Sequence, residues 1–149
     1  MIKIRKFTEK DAEEASRLIR RAVKEVNSEV YPEDVVKNLY DFFSSDHLVE
    51  MAKEDDLILA VEEKKILGTA RLKQNRIQTV FVDPNYHRQG IGTALMNSLE
   101  NLALKRGIQT IKLSAAINAI GFYKKLGYTD TKERFEDELG LVFIMKKPL

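Results

Sequence analysis

The chain has 149 residues, of which 44% are hydrophobic and 32% charged, a balance typical of one ordered globular domain over residues 1–149. Its formal net charge of +2, from 25 basic and 23 acidic residues, is too small a surplus to predict binding to nucleic acid or a membrane. Cysteine is absent, which excludes disulfides, thiolate nucleophiles and cysteine-based zinc sites. Because there are also only two histidines, we expect no metal. The first residues lack the apolar block of a signal peptide and no apolar run reaches ~20 residues, so we expect a soluble cytoplasmic protein.

The first part of the chain predicts a strand followed by helices. Residues 2–7 alternate apolar and basic side chains, as a half-buried strand does, and Thr8 to Asp11 resembles a capping box with Asp in place of Glu. Apolar residues then recur at three- and four-residue steps, which predicts a helix that ends near Asn27. Two shorter helical stretches are expected to begin at Tyr31 and Ser45, the second running through Met51.

The remaining elements are mostly strands around one strong helix. Residues 57–61, 66–72 and 76–82 predict an antiparallel meander, because short polar turns join them. A helix follows the segment Gly90-Ile91-Gly92 and should stop at Gly107. After it the pattern predicts a strand, a short helix and a closing hairpin, at residues 110–114, 118–126, 128–134 and 139–146.

The glycine-containing loop before the long helix is the strongest chemical feature. A tight loop between a strand and a helix points backbone N–H groups outward, where phosphate groups fit. The guanidinium group of Arg88 adds a positive charge and several N–H donors suited to phosphate oxygens. On Gly90 and Gly92 alone, a simple tight helix entry is an equally good interpretation. The dinucleotide fingerprint fails, because Leu95 occupies its third glycine position, and there is no Gly-Lys-Ser or Gly-Lys-Thr.

Two stretches together resemble the GNAT superfamily of N-acetyltransferases. Val80 to Leu95 is similar to its acetyl-CoA signature, and Asn118 to Tyr128 is similar to its later Asn-then-Phe-Tyr-x-x-Leu-Gly motif. The resemblance implies an α/β (α+β) fold: a central mixed, mostly antiparallel sheet of about seven strands flanked by helices. The implied order is a strand, two or more short helices, an antiparallel meander, the loop and helix, a strand, a short helix and a closing hairpin.

The resemblance also implies acetyl-CoA as co-substrate, with the pantetheine arm pairing along a splayed strand. The implied contacts are Val80, Phe81, Val82, His87, Arg88, Gln89, Gly90, Ile91, Gly92, Thr93 and Asn118. His87 departs from the family, which usually has Gln or Arg there. A neutral imidazole can still donate one hydrogen bond to phosphate, and a protonated one adds charge.

Catalytic roles follow less completely from the sequence. Tyr123 matches the family tyrosine that protonates the departing coenzyme A sulfur, whereas a helix tyrosine packing by its ring is the plainer interpretation. Asn118 is a good helix N-cap as well as an implied cofactor contact. Lys124 and Lys125 are either phosphate contacts or solvated surface. The strand holding Val80 carries no carboxylate to act as general base, although Gln78 could hold a water.

The sequence does not identify the acceptor site. Tyr31, Tyr40, Phe42 and Phe135 could line it, but aromatic residues at such spacings are more often core. The acidic groups at 54–56 and 136–138 could attract a cationic amine, but such runs usually mark solvated turns, and His47 is interpreted as a surface histidine.

Two hypotheses about function remain at this point. The first is an enzyme that moves acetyl from acetyl-CoA to a primary amine of a small molecule or a protein, by direct attack. The second is a non-catalytic acyl-CoA-binding sensor or partner module, which the missing carboxylate favours and Tyr123 disfavours. Many family members are dimers, so a homodimer is also open.

Overall fold

The computed structural model describes residues 1–149 as seven strands and five α-helices, with short 3₁₀ turns between some of them. The elements are β1 (Lys3–Lys6), α1 (Ala12–Glu25), α2 (Glu33–Phe42), α3 (Ser45–Glu54), β2 (Asp56–Glu62), β3 (Lys65–Lys73), β4 (Arg76–Val82), α4 (Ile91–Lys105), β5 (Thr110–Ala115), α5 (Ile120–Lys125), β6 (Thr129–Asp137) and β7 (Gly140–Pro148). None of the helices combines the length and the apolar character that crossing a bilayer requires.

All strands belong to one sheet, in the order β1-β2-β3-β4-β5-β7-β6. Every neighbouring pair is antiparallel except β4 and β5, which run parallel because α4 connects them as a crossover. The predicted meander is β2 to β4, and the predicted closing hairpin is β6 and β7. The mixed, mostly antiparallel sheet is therefore confirmed.

The sheet is buried between two hydrophobic cores. One core lies under α4 and includes Leu95 and Leu99 of that helix and Ile77 of β4. The other lies under α1 to α3 and includes Ile19 of α1 and Leu48 of α3. Strand β2 contributes alternate residues to both cores, so it is apolar at every residue from Leu57 to Val61 and not only at every second one.

The capping box predicted at the start of the first helix is present. The Asp11 carboxylate accepts the main-chain amide of Thr8 at 2.8 Å and pairs with both terminal nitrogens of Arg5, each at 2.8 Å. The hydrogen bond from Arg5 is the main cause that lowers the pKa of Asp11 to about 2. A 3₁₀ turn at Glu9–Asp11 precedes α1, which ends at Glu25, close to the predicted Asn27.

The helix expected at Ser45 extends beyond its predicted end. Its N-cap is Ser44, whose hydroxyl accepts the amide of His47 at 3.2 Å, and the helix runs past Met51 to Glu54. It extends because Leu48 and Met51 stay buried against the core beneath it, and β2 begins at once, at Asp56.

Candidate functional site

Strands β4 and β5 separate after a short paired region. Their register joins Arg76 to Lys112 and Ile77 to Leu113 and goes no further, although β4 continues to Val82. Beyond Ile77, the edge of β4 that faces β5 therefore has no partner strand. On its other edge, the amide of Asp83 donates to Leu67 O at 2.8 Å, so by alternation the peptide groups of Val82 face the gap.

A bulge distorts β4 beside this gap. Thr69 is opposite Phe81 whereas Arg71 is opposite Gln78, so β4 has one extra residue there, and Thr79 has φ of 59°. A positive φ is unusual for a β-branched residue and costs roughly 1–3 kcal/mol. Buried hydrogen bonds hold it: Thr69 Oγ1 donates to Thr79 O at 2.8 Å, and Arg71 Nε donates to Thr79 Oγ1 at 3.1 Å.

The loop after β4 presents a row of free backbone donors. None of the main-chain amides from His87 to Thr93 donates a hydrogen bond within the chain, and the first bond of α4 is Ala94 N to Gly90 O at 3.0 Å. Arg88 and Gly90 have positive φ values of 64° and 78°, which turn the loop sharply into the helix. A run of free amides at the N-terminus of a fifteen-residue helix is a site for phosphate groups.

A buried ion pair fixes the start of this loop. The Asp83 side chain is fully buried, accepts the amide of Asn85 at 3.0 Å and pairs with Arg21 of α1 at 2.5 Å. Neither Asp83 nor Arg21 was among the residues that the sequence predicted for the site. The signal was the dipeptide Asp83-Pro84, since an Asp before a turn commonly accepts the amide two residues on.

Helix α5 covers the beginning of α4. A Cβ atom at Gly92 would lie 2.9 Å from the Phe122 ring, so the absence of a side chain there lets the ring rest on the loop. The ring of Tyr128 packs in the core under α4. In the structure its hydroxyl also donates to the Glu100 carboxylate at 2.7 Å, and Lys147 pairs with the same carboxylate at 2.9 Å.

Tyr123 lies in the core with its hydroxyl free. Its ring stacks edge-on against Phe122 and Tyr128, yet the hydroxyl forms no hydrogen bond within the chain and lines the cavity described below. Burial raises the pKa of Tyr123 well above its usual range, so the group stays protonated. The hydroxyl is therefore available as a hydrogen-bond donor at neutral pH.

Asn118 does not cap the last helix, and that prediction was wrong. The residue lies within the 3₁₀ turn Ile117–Ala119, so the N-cap of α5 is Ala119, which has no capping side chain. The Asn118 amide instead donates to Val26 O at 3.2 Å, across to the end of α1. Lys124 and Lys125 are exposed, as solvated surface residues are.

One cavity of about 1020 Å³ connects these features. It runs from the loop along β4 to a second wall formed by α2, α3 and the β6–β7 hairpin, and Tyr31 and Phe42 line that wall. Tyr31 packs on Gly140 and donates to Leu141 O at 2.7 Å. Tyr40 lies outside the cavity, beneath the Arg20 guanidinium at 4.3 Å, and Phe135 is exposed.

Arg71 binds both Gln78 and Asp55, which belongs to the acidic group at residues 54–56. The guanidinium donates to Gln78 Oε1 at 2.9 Å and to Asp55 at 2.7 Å, so one lone pair of the Gln78 oxygen is engaged, while the other lone pair and the NH2 group have no partner in the chain. Asp55 is largely buried in this pair, whereas the sequence favoured a solvated turn. Asp56 forms a separate, more exposed pair with Arg106.

His47 is not a surface histidine, contrary to the sequence interpretation. It is half-buried, lines the cavity and packs edge-on against Phe42, and its Nδ1 lies 2.7 Å from Phe42 O. Because a carbonyl can only accept, Nδ1 carries the proton of the neutral ring and Nε2 keeps its lone pair. No local pattern in the sequence indicates this position.

The fold and site define an acetyltransferase, and comparison with known proteins agrees. Residues 26–149 match the acetyltransferase (GNAT) domain family, so the chain belongs to the GNAT acetyltransferases. It is 28% identical over 141 residues to the peptidyl-lysine N-acetyltransferase YjaB of Salmonella typhimurium, covering 94% of this chain and 92% of that one. It is 32% identical over 82 residues to the putative acetyltransferase BSU40680 of Bacillus subtilis, covering 52% of this chain and 56% of that one.

Solved structures share the whole architecture. A GCN5-related N-acetyltransferase from Rhodopseudomonas palustris superimposes with a TM-score of 0.91 at 22% identity, covering 99% of this chain and 95% of that one. The PaiA N-acetyltransferase of Thermoplasma acidophilum, solved in complex with coenzyme A, superimposes with a TM-score of 0.84 at 23% identity, covering 100% and 99%. At these identities the likeness shows the GNAT fold.

Proposed function

We propose that the protein transfers an acetyl group from acetyl-CoA to a primary amine of a small molecule or a protein, by direct attack of the amine. The observation that carries the proposal is the run of free amides from His87 to Thr93, which opens into the same cavity as the Tyr123 hydroxyl. The coenzyme A bound to PaiA of the same fold supports the choice of cofactor.

The residues present fit such a cofactor. The free amides, with Gly90, Ile91, Gly92 and Thr93 at the helix start, would hold the diphosphate, and the side chains of His87, Arg88 and Gln89 are exposed around it. The partnerless edge of β4 at residues 80–82 would bind the amide-containing arm as an added strand. Thr79 at the bulge and Asn118 line the same cavity.

The thioester supplies an activated acetyl group, and the chain's own residues move the protons. As the carbon–nitrogen bond forms and the carbon–sulfur bond breaks, the leaving sulfur would take up a proton, and the hydroxyl of Tyr123, a residue of the same cavity, would donate it. The attacking amine must lose a proton. His47 lines the cavity and its Nε2 forms no hydrogen bond within the chain, so this nitrogen would accept the proton directly or through water.

A thiol-release assay with acetyl-CoA and a panel of amines tests this function. We expect release that depends on an amine and falls sharply in Tyr123→Phe. Binding of coenzyme A by calorimetry is measured in parallel. If the cofactor binds and no amine in the panel releases thiol, the enzyme proposal fails and a non-catalytic acyl-CoA-binding module is the better description.

A further inference from the structure

Basic side chains lie side by side across four neighbouring strands of the sheet. The register joins Lys73 of β3 to Arg76 of β4, Arg76 to Lys112 of β5, and Lys112 to Lys146 of β7. Because register partners project from the same face of a sheet, all four side chains share one face. We refer to Lys73, Arg76, Lys112 and Lys146 as the basic row.

The basic row lies on the face opposite α4. Ile77 and Leu113, which follow Arg76 and Lys112 in their strands, pack in the core under α4, so the row projects to the side of α1. On that side α1 packs against β3 and β4, and α3 packs against β2. The row continues past these helices onto β5 and β7, where Lys146 is exposed and Lys112 half-buried.

None of the four charges is neutralised within the chain. Other basic residues such as Arg21, Arg71 and Arg106 form ion pairs, but no member of the basic row does. Like charges placed directly opposite one another destabilise a sheet. The row is therefore a surface that an anionic partner would stabilise.

The row begins at the mouth of the reaction cavity. Lys73, Arg76 and Gln78 help to line a second, polar hollow of about 320 Å³, and Lys73 and Gln78 also line the large cavity. Arg76 Nη1 lies 3.4 Å from Ser114 Oγ, and Ser114 lines the large cavity too. When the amine of an acceptor enters the cavity, the part of the acceptor next to that amine would thus contact the basic row.

We propose that the basic row binds acidic residues next to the acceptor amine, so that the acceptor is an acidic polypeptide segment. This inference rests on the proposed function and narrows its acceptor class. Neighbouring strands are ~4.8 Å apart, so the row spans roughly 14 Å, about the length of four extended residues. A single amino acid or small amine would reach only one or two of these charges.

Fluorescence anisotropy tests the inference without relying on turnover. Labelled peptides of one length with a free amino terminus carry acidic, neutral or basic residues after the first position. They are titrated with the wild-type protein and with Lys112→Gln/Lys146→Gln. The control is Lys10→Gln/Lys64→Gln, which removes two exposed lysines outside the row. We expect the acidic peptide to bind at least about tenfold more tightly than the neutral one, and only the row variant to lose this preference.

Several outcomes would overturn the inference: equal binding of the acidic and neutral peptides, equal loss in the control variant, or preference for the basic peptide. It would also fail if a single-stranded oligonucleotide bound to the row, with the same sensitivity to the row variant, while the acidic peptide did not. Coenzyme A binding to the wild-type protein is measured separately. If the protein does not bind coenzyme A but still prefers the acidic peptide, the proposed function is rejected and the peptide-binding surface is retained.

Discussion

Arg71 Nε donates a hydrogen bond to the hydroxyl of Thr79 at 3.1 Å, while the same guanidinium pairs with Asp55 at 2.7 Å. One buried side chain thus connects the end of α3 to the bulge in β4. The bulge has its unusual backbone conformation because Arg71 and Thr69 hold it from neighbouring β3.

Replacing Arg71 by Met should lower the free energy of unfolding by about 2–3 kcal/mol. The change leaves Asp55 largely buried without its partner and removes a hydrogen bond from Thr79. Urea denaturation measures the loss. The matched control is Arg106→Met, which breaks the more exposed pair with Asp56 and should cost less than about 1 kcal/mol. Equal losses in the two variants would contradict the structural role of Arg71.

Replacing Gly92 by Ala should weaken coenzyme A binding by roughly tenfold, or ~1.4 kcal/mol, because the new methyl group displaces the Phe122 ring from the loop. Calorimetry measures the affinity. Adding Phe122→Ala to the variant should restore most of the binding. Gly121→Ala is the control, since a Cβ there meets no atom within 4 Å and should leave affinity unchanged. A double variant as weak as Gly92→Ala would exclude the ring as the cause.

Replacing Tyr123 by Phe should lower kcat by about 10²-fold or more and leave cofactor affinity and stability almost unchanged. Stability is spared because the hydroxyl has no hydrogen-bond partner in the chain to lose. Tyr128→Phe should show the opposite pattern, since it removes the buried bond to Glu100. Steady-state kinetics and thermal melts of both variants separate the two roles. Normal turnover in Tyr123→Phe would reject the acid role.

Replacing His47 by Gln should lower kcat for an alkylamine acceptor by about 10²-fold, because the group on the cavity wall that accepts the proton is lost. The loss should be much smaller for hydroxylamine, whose weakly basic nitrogen is almost entirely neutral at pH 8. Thiol release with the two acceptors at that pH measures the difference. An equal loss for both acceptors would indicate that His47 shapes the cavity and does not take the proton.

Stability should fall in acid as Asp11 is protonated. Its pKa is lowered to about 2 by the hydrogen bond from Arg5, so the stabilisation is full above its ordinary value near 3.8 and is lost as the pH falls toward 2. Because Arg5 is well exposed, solvent screening leaves only about 1 kcal/mol. Urea denaturation of wild type and Asp11→Asn should differ by this amount at pH 7 and converge near pH 2. A constant difference across that range would contradict the assignment.

The sequence predicted the fold well because its signals are local. The apolar run of β2, the glycine at position 107 and the spacing of apolar residues in α1 each indicate their own element. The two GNAT-like motifs then predicted the order of elements and the mixed sheet, both of which the structure shows.

The parts of the site that the sequence missed depend on contacts between distant residues. The pair of Asp83 with Arg21 joins residues 62 positions apart, and Asn118 reaches the end of α1 instead of capping its own helix. His47 looked like a surface residue because neither its neighbours nor its spacing reveal that it faces a cavity. Such contacts follow from how helices pack on the sheet, which local pattern does not specify.

The hydrogen bond from Tyr31 to Leu141 O joins the connection between α1 and α2 to the closing hairpin. These two segments are more than a hundred residues apart in the chain, and together they form part of one wall of the cavity. A substitution that removes this hydrogen bond would therefore loosen the wall between two segments that the chain itself does not connect.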